Sequence, residues 1–166
     1  MIWKHRDEAD RAAALELARA LGKPVKYTQL LLGRGFRTHT EIRGFIAPEL
    51  RRLPLPETMP NMLRAVEAFL RARERGDTVA VAGDYDADGL TATAVLVRVL
   101  GALGFDVITR IPDRHRDGYG LSPRAVEDLK ARGAGLLVTV DCGVSDLEAI
   151  ETANALDLPV VVTDHH

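Results

Sequence analysis

The sequence predicts an α/β protein, a parallel sheet with flanking helices, preceded by a small helical N-terminal region. Three observations carry this reading. Four near-continuous apolar runs, Thr78 to Gly83, Asp106 to Ile111, Leu136 to Val140 and Pro159 to Thr163, occupy the second half of the chain, and such runs suit parallel strands buried on both faces. Helix-length segments separate them, near residues 89–102, 122–132 and 145–156, so each crossover can close a right-handed βαβ unit. Each run also delivers acidic or imidazole side chains: Asp84-Tyr85-Asp86-Ala87-Asp88-Gly89, Pro112-Asp113-Arg114, Asp141-Cys142-Gly143 and Asp164-His165-His166. Ligands of open α/β sheets bind beyond the carboxyl ends of the strands.

The remaining elements follow from local chemistry. Ala9 to Leu21 is rich in Ala and Leu and is ended by Gly22 and Pro24, which predicts a helix. Tyr27 to Leu32 forms a second short helix, stopped at Gly33-Arg34-Gly35, and His39 to Phe45 a third. The proline-rich stretch from Arg51 to Pro60 reads as a linker. The domain boundary is accordingly placed at 60/61. Met62 to Arg75 reads as an amphipathic helix with Met62, Ala65, Val66, Phe69 and Leu70 on one face. Ser122 before Pro123 is a helix start with a capping hydroxyl. Ser145 with Glu148 gives a capping-box pattern for the next helix, and Asp88 reads as the cap of the helix after the first strand.

With 166 residues, 46% of them apolar and 28% charged, the chain has enough core for one domain and a helical appendage, and disorder is excluded. No apolar run approaches the length of a membrane span, and the N-terminus lacks the apolar centre of a signal peptide. Cys142 is the sole cysteine, so no internal disulfide forms. These features predict a cytoplasmic location. The net charge of −2 conceals an asymmetry: residues 1–77 carry 15 Lys/Arg against 10 Asp/Glu, residues 78–166 carry 7 against 14. A basic segment beside an acidic, cation-demanding one suits a phosphorylated polymer, with Arg34 and Arg37 as expected phosphate contacts; solvated helix faces are the competing reading.

The Asp84–Gly89 segment resembles the start of a calcium-binding EF-hand loop, but position 12 is Val95 where a bidentate glutamate is needed, and a strand precedes it. A dinucleotide site is opposed by the lack of a G-x-G-x-x-G after the first strand. An aspartyl nucleophile at Asp84 leaves the downstream histidines unexplained. Divalent-metal ligation accounts for the most residues together. Asp84 and Asp86 can each send an oxygen towards neighbouring cations, Asp141 can bridge from an adjacent strand, and His165 supplies nitrogen, which favours Mn²⁺ over Mg²⁺ alone. Two cations about 3.5–4 Å apart would stabilise both attacking and leaving oxygens in phosphodiester hydrolysis.

Gly83-Asp84-Tyr85-Asp86-Ala87-Asp88-Gly89, Ile111-Pro112-Asp113-Arg114 followed by Gly118-Tyr119-Gly120-Leu121, Val140-Asp141-Cys142-Gly143 and Thr163-Asp164-His165-His166 resemble, in order and spacing, the four N-terminal motifs of the DHH phosphoesterases. The G-D-Y-D-x-D-G form and the G-Y-G segment resemble the RecJ branch, single-strand-specific 5′→3′ exonucleases of DNA repair and recombination. Leu30-Leu31-Leu32-Gly33-Arg34-Gly35-Phe36 resembles the segment preceding the catalytic core of that branch.

The resemblance implies Asp84 and Asp141 on one Mn²⁺ and Asp86, Asp141 and His165 on a second, with Mg²⁺ as a substitute. It implies that Asp164 orients a histidine, that His166 faces the scissile phosphate, and that Arg114 and the Gly118–Gly120 turn lie near DNA. Tyr119 either stacks on a base or packs over the sheet edge. The implied substrate is single-stranded DNA with a 5′ end, and a helicase or single-strand-binding protein is an implied partner. Two departures stand out. Ala82 occupies the position, two residues before the first aspartate, where the family usually has a histidine ligand. The sequence also stops at His166, before the family's later aspartate ligand and substrate-binding domain, so residues 61–166 read as an incomplete catalytic domain. Rival readings are a DHH phosphodiesterase of short oligonucleotides or small phosphoesters, and a catalytically impaired DNA-binding scaffold.

Overall fold

A computed structural model describes residues 11–166; the first two residues of the helix expected from Ala9 lie outside them. The chain divides into two compact units, residues 1–55 and 56–166. The division falls inside the proline-rich stretch, a few residues before the 60/61 boundary expected from sequence, because Pro56–Thr58 forms a short 3-10 turn that contacts the first helix of the second unit.

In the first unit α1 (Arg11–Leu21) packs against α2 (Val25–Gly33) and α3 (His39–Ile46). Ala14, Ala18, Leu31, Leu32 and Ile42 are buried. Thr28, also buried, satisfies its hydroxyl on the carbonyl of Ala14 at 2.8 Å. Thr38 and Glu41 form a reciprocal capping box at the start of α3. Arg37, an expected phosphate contact, also has a local role: its Nη1 donates to the carbonyls of Leu32 and Phe36 at 2.7 and 3.0 Å, closing the end of α2.

The second unit begins with α4 (Met62–Arg75) and continues as β1 (Thr78–Gly83), α5 (Ala87–Ala102), β2 (Val107–Arg110), α6 (Pro123–Ala131), β3 (Ala134–Val140), α7 (Leu147–Ala155) and β4 (Val160–Thr163). All four strands are parallel, in the order β2-β1-β3-β4. Side chains alternate across β1. Val79 and Val81 join Leu100, Leu136 and Val138 in one apolar layer with α4 and α5. Ala80 and Ala82 join Leu121, Val126, Leu129 and Ala153 in the other, beneath α6 and α7.

The face that α4 buries differs from expectation. Ala72, Ala68 and Phe69 reach the sheet layer, with Phe69 edge-on to Phe105 at 6.2 Å, whereas Val66 and Leu70 are 45% and 55% exposed. Ala68 and Ala72 are small enough to seat the helix closely, and that choice rotates the larger aliphatics outward. Among the described residues, no helix is long and apolar enough to cross a membrane.

Topology fixes where a ligand would sit. From β1 the chain crosses to β2 on one side and then to β3 on the other, so the strand order reverses between β1 and β3. Gly83 is in register with Val140, and Val140 with Thr163. The residues that follow, Asp84, Asp141 and Asp164, therefore leave the sheet at one level.

Candidate metal centre

Asp84 follows β1 directly and is 3% exposed, and its Oδ1 has no hydrogen-bond partner among the described residues. A buried, unpaired carboxylate oxygen is costly unless a cation or water satisfies it. Gly89 brings α5 against this residue: a Cβ at position 89 would lie 2.5 Å from the Asp84 carbonyl oxygen and 2.6 Å from its nitrogen.

Asp86, expected as a metal ligand, is the N-cap of α5, its Oδ1 accepting from the backbone N–H groups of Asp88 and Gly89 at 3.0 Å each. Asp88, expected as the cap, lies instead in the first turn. Asp86 wins because its extended backbone (φ −82°, ψ −175°) turns the carboxylate back over the open helix end. The Asp86 side chain thus serves the helix through one oxygen, and its second oxygen is left for a ligand.

Asp141 follows β3 in a left-handed conformation, φ +62°, uncommon outside glycine but tolerated by aspartate. Its backbone N–H still bonds the Thr163 carbonyl at 2.9 Å, so the peptide stays in the sheet while the carboxylate swings over the edge. Asp141 Oδ1 meets His165 Nε2 at 2.9 Å. The ligand atoms of Asp141, His165 and His166 all lie within 4.8 Å of one another, a set able to hold a metal ion. The two imidazoles stack with centroids 4.4 Å apart. Beside them an open hollow of about 520 Å³ runs along Asp88, Thr91, Val95, Asp141, Asp164 and His165.

Asp164 organises the histidines. Its side chain is 4% exposed and bonds His166 Nδ1 at 2.7 Å. It also accepts from the backbone N–H groups of Val144, His165 and His166 at 3.0, 2.7 and 3.2 Å. Burial pushes the Asp164 carboxyl up, but these hydrogen bonds outweigh it and bring the group down to about 2. The same bond holds the His166 imidazole above its ordinary value. It also places the ring proton on Nδ1 and leaves Nε2 for a ligand.

The remaining expected residues take separate positions. Arg114 lies over the Tyr85 ring at 5.5 Å, a cation–π contact that ties the loop after β2 to the turn after β1. Tyr119, 55% exposed, bonds the Asp141 carbonyl at 3.4 Å and stands 3.3 Å from His166 Nδ1. Burial, followed by the Asp164 and Asp84 carboxylates, holds its hydroxyl above the ordinary tyrosine value, so it donates as a neutral phenol. Gly118 and Gly120 have φ of +79° and +84°. Cys142 is buried, its thiol pushed up to about 12 by burial and nearby carboxylates, and its Sγ lies 3.7 Å from the Ala82 carbonyl; it is a small packing residue.

Ala82 is 2% exposed and faces the α6–α7 layer, sharing with Leu121, Ala125 and Cys142 a pocket of about 10 Å³. An imidazole there would have to displace core side chains. Ala82→His is therefore expected to destabilise the fold by about 1–3 kcal/mol, measured as a lower denaturation midpoint. A variant of unchanged stability with tighter Mn²⁺ binding would show that the ring escapes to the sheet edge.

Sequence reasoning missed Tyr85 as the platform under Arg114, and Asp146. Ser145 is the expected cap of α7, but Asp146 occupies the N-cap position and makes no cap bond; its Oδ2 accepts from Leu121 N–H at 2.7 Å instead. Two adjacent capping residues, Ser145-Asp146, were the available signal that one is surplus to the helix.

The open parallel sheet with acids and imidazoles at its switch point defines the class: residues 78–166 match the DHH family, N-terminal domain, and the chain belongs to that family. It is 42% identical over 97% of its length to the single-stranded-DNA-specific exonuclease RecJ of Salmonella typhimurium, covering 27% of that protein. It is 44% identical over 80% of its length to RecJ of Thermus thermophilus, covering 19% of that protein. The crystal structure of Thermus thermophilus RecJ in complex with Mn²⁺ is similar over 95% of this chain and 21% of that one, at 33% identity and a TM-score of 0.63. A crystal structure of exonuclease RecJ bound to manganese is similar over 60% of this chain and 26% of that one, at 43% identity and a TM-score of 0.54. The chain thus spans about a fifth to a quarter of the length of these relatives.

Proposed function

We propose that this chain supplies the metal-binding edge of a phosphodiesterase that hydrolyses single-stranded DNA from the 5′ end. The observation that carries this reading is the gathering of the Asp141, His165 and His166 ligand atoms at the switch point of the sheet, on the same edge as the buried, unpaired Asp84 oxygen. Mixed oxygen and nitrogen donors fit Mn²⁺, with Mg²⁺ as the harder alternative. Asp84 and Asp141 would hold one ion, and Asp86, Asp141 and His165 the other. Bound divalent ions supply charge stabilisation to the attacking and leaving oxygens of a phosphodiester.

The chain's own residues do the rest. Asp141, forced over the edge by its left-handed backbone, can serve both sites. Asp164 fixes the tautomer of His166, whose Nε2 faces the scissile phosphate. Arg114, held by Tyr85, offers a guanidinium to the DNA backbone, and Gly118 and Gly120 let the strand approach the main chain. Ala82 brings no nitrogen to the first site, which then rests on carboxylate oxygens. Residues 1–60 form a basic helical lead-in and residues 61–166 part of the catalytic domain. The setting is cytoplasmic DNA repair and recombination, with a helicase or single-strand-binding protein as partner.

The reading is supported by the 32–44% identity to RecJ exonucleases and by the manganese and magnesium in their crystal structures. The test is Mn²⁺-dependent release of nucleotides from single-stranded DNA labelled at either end, using the full-length protein. Release from the 5′ end, lost on chelation, is expected. Hydrolysis confined to short oligonucleotides or small phosphoesters, or DNA binding without cleavage, would overturn it.

Asp164→Ala is expected to weaken Mn²⁺ binding about 10–100-fold, because the carboxylate that accepts the His165 backbone N–H and so holds the ligand histidine in place is removed. Calorimetry gives the affinity directly. An unchanged value would mean that the His165 and His166 backbones hold the rings unaided.

A further inference from the structure

Asp146 is an acid at a helix start whose backbone carbonyl accepts from Ile150 N–H at 3.1 Å but whose side chain makes no bond to the helix. A capping carboxylate at the head of α7 would stabilise it, yet no side-chain cap bond forms. The carboxylate reaches instead to the Leu121 N–H, 25 residues earlier. A residue that breaks its local rule in this way is expected where the fold needs it for something else.

What Asp146 holds is the strap from Gly118 to Leu121. Gly120 makes the contact possible: a Cβ there would lie 2.6 and 2.8 Å from the Asp146 carboxylate oxygens, and φ is +84°. Leu121, 6% exposed, anchors one end of the strap in the core. At the other end Tyr119 is more than half exposed, with its ring edge-on to His166 at a centroid distance of 5.9 Å. One long hydrogen bond at the phenol tip, 3.4 Å to the Asp141 carbonyl, and a 3.3 Å approach to a His166 Nδ1 already bonded to Asp164, are weak restraint for a ring so placed. The position of the ring is set at its base, by the strap.

We propose that Asp146 is a positioning residue that acts on substrate through Tyr119. By clamping Leu121 N–H against Gly120 it holds the exposed tyrosine ring beside His166 as a platform for a nucleotide base, the base next to the phosphate being cut. The inference rests on the single-strand nuclease reading above and deepens it, by assigning the grip on the terminal base to Asp146, Gly120 and Tyr119 together. Base–aromatic stacking contributes to binding the strand more than to the chemical step, so the clamp is a determinant of KM.

The experiment uses the full-length protein, steady-state cleavage of single-stranded DNA with Mn²⁺, and the variants Asp146→Ala, Asp146→Asn, Gly120→Ala, Tyr119→Ala and the double variant Asp146→Ala/Tyr119→Ala. Asp146→Ala is expected to raise KM about tenfold, with kcat within about threefold and Mn²⁺ affinity unchanged. Asp146→Asn keeps an acceptor oxygen for Leu121 N–H and restores KM to within about twofold. Gly120→Ala, which leaves the carboxylate in place but pushes it aside, reproduces the rise should Asp146→Ala fail to fold. The double variant is no worse than Tyr119→Ala alone, because both changes remove one effect. Unchanged KM in both Asp146→Ala and Gly120→Ala, or losses that multiply in the double variant, overturns the proposal. A fall in kcat alone, tracking thermal stability, assigns Asp146 a purely structural role and also overturns it. If the parent protein does not cleave single strands, the nuclease reading fails separately. The clamp is then read from a ¹⁹F-labelled tyrosine at position 119, whose resonance shifts in Asp146→Ala and returns in Asp146→Asn; an unmoved resonance overturns it.

Discussion

Asp141→Ala in the full-length protein is expected to lower Mn²⁺ affinity by about 100-fold or more and to reduce DNA cleavage by on the order of 10²–10³-fold. The first figure exceeds what loss of an orienting group costs; the second is typical of removing a principal source of transition-state charge stabilisation. Asp141 is the residue at which the two ion sites would meet, and its carboxylate already bonds His165 Nε2 at 2.9 Å. Alanine also has to adopt φ +62°, which costs about 1–2 kcal/mol for an ordinary L-residue. Asp141→Asn separates the two effects, because asparagine tolerates that conformation but carries no charge. Calorimetry on both variants is expected to show the same loss of Mn²⁺ binding, with the stability loss confined to alanine. Unchanged stoichiometry and affinity in Asp141→Asn would remove Asp141 from the metal centre.

Gly89→Ala is expected to be damaging for a different reason. The added methyl would sit 2.5–2.7 Å from three backbone atoms of Asp84. No rotamer can relieve an overlap with main chain, so α5 has to back away from the end of β1. Overpacking of this kind costs about 1–3 kcal/mol, and each 1 kcal/mol lowers the melting temperature of a domain this size by about 4 °C. Because the displaced backbone carries Asp84 and the Asp86 cap, Mn²⁺ affinity is expected to fall as well, measured on protein kept well below its melting point. Gly101, near the other end of α5, is the control, since a methyl added there would meet nothing within 4 Å. Gly101→Ala is expected to be neutral or slightly stabilising.

Much of this was legible in the sequence. The four strands and the helices between them follow from uninterrupted Val/Leu/Ile runs and from helix starts such as Ser122-Pro123, whose hydroxyl does cap α6. Chemistry carried by the strand ends was visible too, because acids placed directly after apolar runs can only emerge at the sheet edge. Misreadings arose where two residues competed for one local role. Asp86 and Asp88 both suit a helix start, and only the extended backbone of Asp86 decides between them. Val66, Leu70, Ala68 and Ala72 all suit a buried face, and the close approach of α4 to the sheet selects the alanines.

Residue type and order alone mark the groups that could carry the chemistry, since they place Asp84, Asp141, Asp164, His165 and His166 after strands. How they divide the work depends on contacts made in the folded chain. Strand order puts β1 beside β3, and the register then levels Asp84 with Asp141 and Asp164. The left-handed turn at Asp141 sends its carboxylate to His165, and burial of Asp164 makes it the anchor of His166. Asp146 and Leu121 are 25 residues apart and share no sequence pattern. Their bond exists because α7 and the strap before α6 meet over one edge of the sheet, and through-space proximity of that kind is a property of the fold that no local pattern of residues encodes.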